Sequence, residues 1–240
     1  MISKKKKTVV AVVAVAVIVI GIPLLVYAYY NARFPGHSQA AAGLRVAVER
    51  ISNDGATPQF KFTEVPSPFK PNAATEGKFS LLTGQRDGNS GWLGKFQYGS
   101  LPDAPDAPDR NFFFSDGSIG GRILVDLGQP KDIQQINTYS WHVSDRAPQR
   151  YNLYAYADTS EVSSPVSVGS DDPRKFGWLL LAKVDTRPKL GTPGGQYGVS
   201  ISSPTGVIGH YRYLLFDCRR TESTDRWGNT FYSEIDVIAK

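Results

Sequence analysis

The chain has 240 residues, of which 12% are aromatic and 20% charged, with 23 Gly and 16 Pro. This composition excludes a disordered chain and favours an all-β fold with many turns, and the single cysteine, Cys218, excludes an intrachain disulfide framework. The run Lys4–Lys7 supplies most of the formal net charge of +5, so the charge does not indicate a nucleic-acid partner.

Residues 9–30 form an uncharged apolar run, which is long enough at about 1.5 Å per residue to cross a bilayer. A basic tail, residues 1–8, precedes this run and places the N-terminus in the cytoplasm. The pattern predicts a single-pass transmembrane helix in a bacterial inner membrane, with a periplasmic C-terminal domain. The alternative is a cleaved signal peptide with its site at Val26-Tyr27-Ala28, although the apolar run is longer than is usual for one.

Residues 31–45 are predicted to form a linker, and residues 46–240 a periplasmic β-sandwich domain. No stretch after residue 50 keeps helical periodicity for three turns, whereas short apolar or alternating runs are separated by turn residues. Strands are predicted at 60–65, 122–127, 133–143, 150–157, 178–184, 199–202, 211–218 and 235–239. Residues 101–109 predict an extended, acidic and proline-rich loop.

Sequence motifs of catalysis are absent. The chain has no H-E-x-x-H, G-x-S-x-G or G-x-x-x-x-G-K-[ST] pattern. Its three histidines lie far apart in sequence, at positions 37, 142 and 210. The sequence therefore predicts a protein that is not an enzyme.

Six short motifs occur in an order that resembles a known domain family. They are Asp87–Trp92, Gly121–Gly128, Ile133–Ile136, Arg150–Tyr156, Tyr211–Phe216 and Ser233–Val237. Together they resemble the discoidin, or coagulation-factor C-type, domain. Three further segments, residues 111–114, 137–142 and 195–200, resemble a bacterial branch of that fold. The resemblance implies a jelly-roll, galactose-binding-like β-sandwich with long loops. It also implies a binding module for sugars, lipid head groups or proteins rather than a catalyst.

The resemblance further implies a structural calcium ion between an early loop and the last strand. The residues that match the ligand positions of the family are Asp87, Asn89, Ser90 and Glu234. Oxygen ligands and a glycine that permits a tight turn suit calcium. The alternative is an ordinary Asp-Gly turn with Glu234 in solvent.

Ligands of this family bind at loops at one end of the sandwich. The residues implied for that end are Trp92, Tyr98, Trp141, His142, Arg146, Tyr197, Arg219 and Trp227. Aromatic rings and forked arginine donors suit sugars or acidic groups. The alternative is that aromatic residues beside strands, such as Trp92 and Trp141, pack in the core.

Two functions remain open for such a module. The first is an accessory or structural subunit that docks on integral membrane proteins of a larger complex, and this hypothesis ranks first because the chain carries no catalytic partner of its own. The alternative is a module that binds glycans or another extracellular ligand. No nucleic-acid partner is expected.

Overall fold

The computed structural model describes residues 38–98, 100–157, 169–189, 191–222 and 227–240. The predicted basic tail and the predicted span at 9–30 lie outside the described residues. Within the described ranges, no helix is long and apolar enough to cross a membrane. The membrane anchor, its orientation and the periplasmic location stay predictions.

Strands are the main regular elements of the described chain. They are β1 (Gln39–Ala40), β2 (Arg45–Ile51), β3 (Lys78–Thr83), β4 (Gly120–His142), β5 (Arg150–Tyr156), β6 (Leu179–Asp185), β7 (Gly195–Ser202), β8 (Gly209–Arg219) and β9 (Tyr232–Ala239). Two short helices are α1 (Ala73–Glu76) and α2 (Lys95–Tyr98), and 3-10 turns occur at Asn53–Gly55, Pro108–Arg110 and Pro173–Phe176. The predicted all-β, jelly-roll class is confirmed.

The strands predicted from residue 122 onward are confirmed, with one difference. The two strands predicted at 122–127 and 133–143 are halves of one long strand, β4. Gly128, at a φ of 81°, and a shift in register between Asp126 and Lys131 bend this strand without ending it. Strand β1 lies within the predicted linker and pairs with β6, so the last part of that linker belongs to the sheet.

The bend in β4 divides the sheet into two layers. The strand order is β1-β6-β5-β8-β4-β7-β2, with β3 and β9 also paired to β4. The first half of β4 pairs with β3 and β8, and the second half pairs mainly with β7 and β9. We call the two groups of strands the first and second layer.

The main core lies between the layers. It contains Ile123 and Val125 from the first half of β4 and Ile136 from the second half, together with Val199 of β7 and Leu214 of β8. Because side chains alternate along a strand, each layer also has an outer face. A second cluster of buried residues lies on the outer face of the first layer: Leu124, Tyr154, Trp178, Tyr213 and Leu215.

A segment that we call the strap, residues 56–72, covers the outer face of the second layer. Phe60 and Val65 of the strap are buried against Tyr139 and Trp141. A Cβ atom at position 198 would lie 2.7 Å from the Phe62 ring, so only glycine permits this close approach. The strand predicted at 60–65 is wrong. Its residues pack on a sheet face rather than at a sheet edge, and Phe60 has a φ of 48°, which an extended strand does not allow.

Glu49 of β2 anchors the middle of the strap. Its carboxylate accepts hydrogen bonds from the backbone N–H groups of Thr63, Glu64 and Val65 at 3.0, 2.7 and 2.6 Å. Burial opposes ionisation, but the three N–H donors outweigh it and lower the pKa of Glu49. The strap is therefore held by a charged group as well as by its apolar side chains.

Two buried carboxylates of β9 hold the C-terminal part of the strap. Asp236 accepts from the Phe69 N–H at 3.2 Å and from Asn72 Nδ2 at 2.7 Å. Glu234 Oε2 lies 3.1 Å from Lys70 Nζ. Burial raises the pKa of Glu234 to about 8 and that of Asp236 to about 7. The last strand thus fixes the strap through groups that are hidden from water.

We expect Glu49→Gln to lower the free energy of unfolding by about 1 kcal/mol, because a neutral amide oxygen replaces a charged acceptor of three N–H groups. Hydrogen exchange should accelerate at residues 63–65 before it accelerates in the sheet. Thermal melting and exchange mass spectrometry measure the two effects. Glu64→Gln, at an exposed position of the strap, is the control. Equal melting and exchange in the two variants would show that Glu49 contributes nothing to the stability of the strap.

Candidate functional site

Four loop segments meet at one end of the sandwich, and we call residues 111–119, 142–149, 219–222 and 227–231 the loop end. Strand β4 begins and finishes at this end because of its bend. The Arg220 N–H donates to the Ile119 carbonyl at 3.1 Å, just before β4. The Thr221 hydroxyl donates to the Asp145 carbonyl, just after β4. The loops before and after β4 therefore lie side by side.

Arg146 is the central cation of the loop end. Its guanidinium carbon lies 4.1 Å from the ring centroid of Phe231 and 4.4 Å from that of Phe113. The two rings are themselves stacked, with centroids 4.1 Å apart. Arg146 Nε donates to the Asn229 carbonyl at 3.0 Å. Cation–π contact and a hydrogen bond thus fix the direction in which this donor group points.

His142 packs beside the same rings. Its ring centroid lies 4.5 Å from that of Phe231, and its side chain is only 7% exposed. The Ser144 N–H donates to His142 Nδ1 at 3.1 Å, which assigns the ring proton to Nε2. Burial, and next the charge of Arg146, lower the pKa of His142 to about 4. The imidazole is therefore neutral at neutral pH.

Trp227 is the exposed aromatic residue of the loop end, with 46% of its surface accessible. Its carbonyl accepts from the Asn229 N–H at 2.9 Å. The Asn229 side chain is buried and donates to the Ser115 carbonyl and to Ser118 Oγ, both at 3.1 Å. Asn229 therefore connects the Trp227 backbone to Arg146 on one side and to the loop at 115–118 on the other.

Like His142, two further residues implied for ligand contact are buried. Trp141 packs against Phe60 under the strap, and its Nε1 donates to Asn53 Oδ1 at 3.0 Å. Tyr197 is 1% exposed, and its hydroxyl donates to the Pro193 carbonyl at 2.8 Å. Neither ring presents a face to solvent, so the packing alternative describes both positions.

Trp92, Tyr98 and Arg219 are exposed but lie apart from the Arg146 contacts. Trp92 is 62% and Tyr98 72% exposed, on the segment that leads into and forms α2. Arg219 ends β8, and its Nη2 lies 3.2 Å from Asp217 Oδ2. The structure thus links His142, Arg146 and Trp227 through Phe231 and Asn229. Arg219 lies at the edge of the loop end, in its ion pair with Asp217.

Sequence reasoning missed Phe113, Phe231 and Asn229, the groups that hold Arg146. The run Asn111–Phe114 contains the available signal, because alternate residues of an extended run face opposite ways. Phe112 and Phe114 enter the main core, and Phe113 faces the loop end. No local pattern indicates that Phe231 stacks on Phe113, since the two are distant in sequence.

The residues implied for calcium are already engaged by protein groups. Asp87 Oδ1 accepts from the Asn89 N–H at 2.9 Å. Ser90 Oγ donates to the Gly91 carbonyl at 2.8 Å and accepts from the Phe113 N–H at 2.9 Å. Glu234 faces the Lys70 ammonium, which a divalent cation would have to displace. Among the described residues no group of three or more His, Cys, Asp or Glu gathers around one point. The calcium site stays a prediction.

Comparisons with known proteins returned solved structures alone, since no protein-family model and no curated protein matches the chain. A CBM32-1 module from a family 31 glycoside hydrolase of Clostridium perfringens is 11% identical, with a TM-score of 0.42 over 70% of this chain and 96% of that one. A CBM32-2 module bound to GalNAc is 11% identical, with a TM-score of 0.44 over 68% and 97%. A fucolectin from striped bass (Morone saxatilis) serum is 13% identical, with a TM-score of 0.42 over 70% and 48%. At this identity and superposition the likeness does not extend to ligand or function.

The depressed pKa of His142 predicts that the contribution of this residue to stability is lost in acid. In the unfolded chain the imidazole takes up a proton near its ordinary pKa of 6.5, whereas in the folded protein His142 takes up its proton only at about pH 4. At His142 the unfolded state then binds more protons, so the contribution of this residue to stability falls by up to about 3 kcal/mol as the pH is lowered through this window, whereas the raised pKa values of Glu234 and Asp236 act in the opposite direction. His142→Phe keeps a ring at this position and removes this contribution.

Denaturant unfolding at a series of pH values measures how the free energy of unfolding of each protein changes with pH. His210→Gln is the control, because His210 is exposed and pairs with Asp132 at the surface. It should retain the acid sensitivity of the unmodified chain. A His142→Phe variant with that same acid sensitivity would disprove the assignment.

Proposed function

We propose that this domain is a non-catalytic module that binds carbohydrate at the loop end. The observation that carries the proposal is that Arg146, whose guanidinium is fixed by packing, and Trp227, whose ring is exposed, are both hydrogen-bonded to the backbone of Asn229. A donor whose direction is set by packing and an accessible aromatic face are the two elements that a sugar site needs.

The chemistry of a sugar explains why both elements matter. A pyranose ring has an apolar C–H face that can lie on an indole ring, and hydroxyl groups around its rim that need hydrogen-bond partners. Arg146 supplies donors that point in one direction because Phe113 and Phe231 hold the guanidinium. Little side-chain entropy is then lost on binding, which favours affinity for a small polar ligand.

The loop end is a poor catalyst despite a contact between a serine and a histidine. Ser144 Oγ lies 3.3 Å from His142 Nδ1, the distance of a weak hydrogen bond. A general base works best when its pKa is near the working pH. Burial holds the pKa of His142 at about 4, so the imidazole has little tendency to take a proton from the hydroxyl. A binding role fits these groups better than an acyl-transfer role.

An accessory subunit of a membrane complex is the hypothesis that the sequence ranks first. Its support is the predicted span at 9–30, which lies outside the described residues. The contacts of the loop end favour the carbohydrate alternative, since they fix the guanidinium of Arg146 and join it through Asn229 to the residue that carries an exposed indole, Trp227. We therefore put glycan binding ahead of docking on membrane proteins.

A glycan array probed with the full chain tests the proposal, in a detergent that carries no sugar because of the predicted span. We expect specific binding to one group of related oligosaccharides. Trp227→Ala should then weaken binding to the best oligosaccharide by up to about tenfold, because an aromatic contact of this kind contributes up to about 1.5 kcal/mol.

Trp92→Ala is the matched control, because it removes the same side chain from an exposed position on the segment that leads into α2. We expect its affinity to equal that of the unmodified chain. Isothermal titration with each protein gives the comparison. An array without a single bound glycan, or a loss of binding at Trp92 rather than at Trp227, would refute the proposed site.

A further inference from the structure

A second charged surface adjoins the loop end, and we call it the arginine ladder. It consists of Arg122, Arg150, Arg187, Arg219, Asp185 and Asp217. Asp185 Oδ2 lies 2.5 Å from Arg187 Nη2 and 3.8 Å from Arg150 Nε. Asp217 is shared in the same way, by Arg219 at 3.2 Å and Arg122 at 3.4 Å. These ion pairs join four guanidinium groups to two carboxylates.

The ladder lies on the outer face of the first layer, where β5, β6 and β8 reach the loop end. Tyr151 pairs with Cys218 across β5 and β8, and both side chains enter the core. Arg150 precedes the first and Arg219 follows the second, so the two arginines lie side by side on the opposite, outer face. Each keeps 44% of its side chain exposed.

Two adjacent cations on neighbouring strands repel each other and destabilise the sheet. Burial, and next the charge of Arg187, lower the pKa of Arg150, which reflects the same crowding of positive charge. An anion between the two exposed guanidinium groups would remove this repulsion. Guanidinium groups suit such a ligand because their paired N–H donors match the oxygens of a carboxylate or sulfate.

The ladder is connected to the loop end through residues 220 and 221. Arg150 Nη1 donates to the Arg220 carbonyl at 3.4 Å, and Arg187 Nη1 donates to the Thr221 carbonyl at 3.3 Å. Thr221 in turn bonds to the Asp145 carbonyl, beside Arg146. A chain-like ligand at the loop end would therefore pass close to the ladder.

We propose that Arg150 and Arg219 form an oxyanion subsite, and that the glycan bound by this domain is an acidic polysaccharide with carboxylate or sulfate groups. This inference rests on the proposed function and gives it a ligand class. The exposed N–H groups of Arg150 and Arg219 bind the anionic group. Ion pairs with Asp185 and Asp217 keep the two guanidinium groups in position.

The test compares polygalacturonate with the same polymer after its carboxylates have been reduced to alcohols. The two probes differ in charge and share their sugar rings and linkages. We expect the full chain to bind the acidic polymer about tenfold more tightly, as for one charge-assisted contact. The preference should vanish near 1 M salt, where the screening length is about 3 Å.

Arg219→Gln and Arg150→Gln should each remove most of this preference and leave binding of the reduced polymer unchanged. Arg45→Gln is the control, since it removes one exposed arginine from β2, at the opposite end of the strand order. We expect it to retain the full preference. Melting temperatures of the two ladder variants should equal or exceed that of the unmodified chain, because each substitution relieves repulsion.

Equal binding of the two polymers, or an Arg219→Gln variant that keeps the preference, would overturn the oxyanion subsite and leave the proposed function standing. If neither polymer binds and the glycan array is also empty, the proposed function fails. Titration with sulfate alone then shows whether the arginine ladder binds an anion. Sulfate binding that is lost in Arg219→Gln would support an anion site, and its absence in the unmodified chain would overturn it.

Discussion

The bend in β4 is the constraint on which the rest of the structure depends. One strand of 23 residues supplies the central pairing of both layers. Its shift in register at Asp126–Lys131 and its glycine at 128 turn the chain from one layer into the other. Since the strand starts and finishes at the same end of the sandwich, the loops on either side of it meet. The loop end, with Arg146 and Trp227, exists because of this return.

Each outer face of the sandwich is covered at least in part, and by different groups. The strap covers the second layer and is bound through Glu49 and Asp236, whose carboxylates accept backbone N–H groups. Apolar residues around Trp178 cover part of the first layer. An ordinary sandwich leaves such faces to solvent.

Charge in this domain acts locally rather than as a net field. The formal charge of the chain arises mainly from its N-terminal lysines, yet the ladder holds four arginines around two aspartates. Glu234, in contrast, is buried against Lys70 and has a raised pKa. At physiological ionic strength, screening over about 8 Å confines each of these effects to its own surface. A ligand would respond to the ladder and the loop end rather than to the total charge.

The sequence by itself determined the all-β class and the strands from residue 122 onward, because alternation and turn residues are local signals. Tertiary structure decided that two of those strands are one. It decided that Phe60–Val65 packs as part of a strap, and that Trp141 and Tyr197 are buried while Trp227 is exposed. It also placed Phe113 against Phe231 and Arg150 beside Arg219, pairs whose members are distant in sequence. The physical reason is that burial and proximity depend on which faces of the layers meet, and in a sandwich that is set by contacts between distant segments.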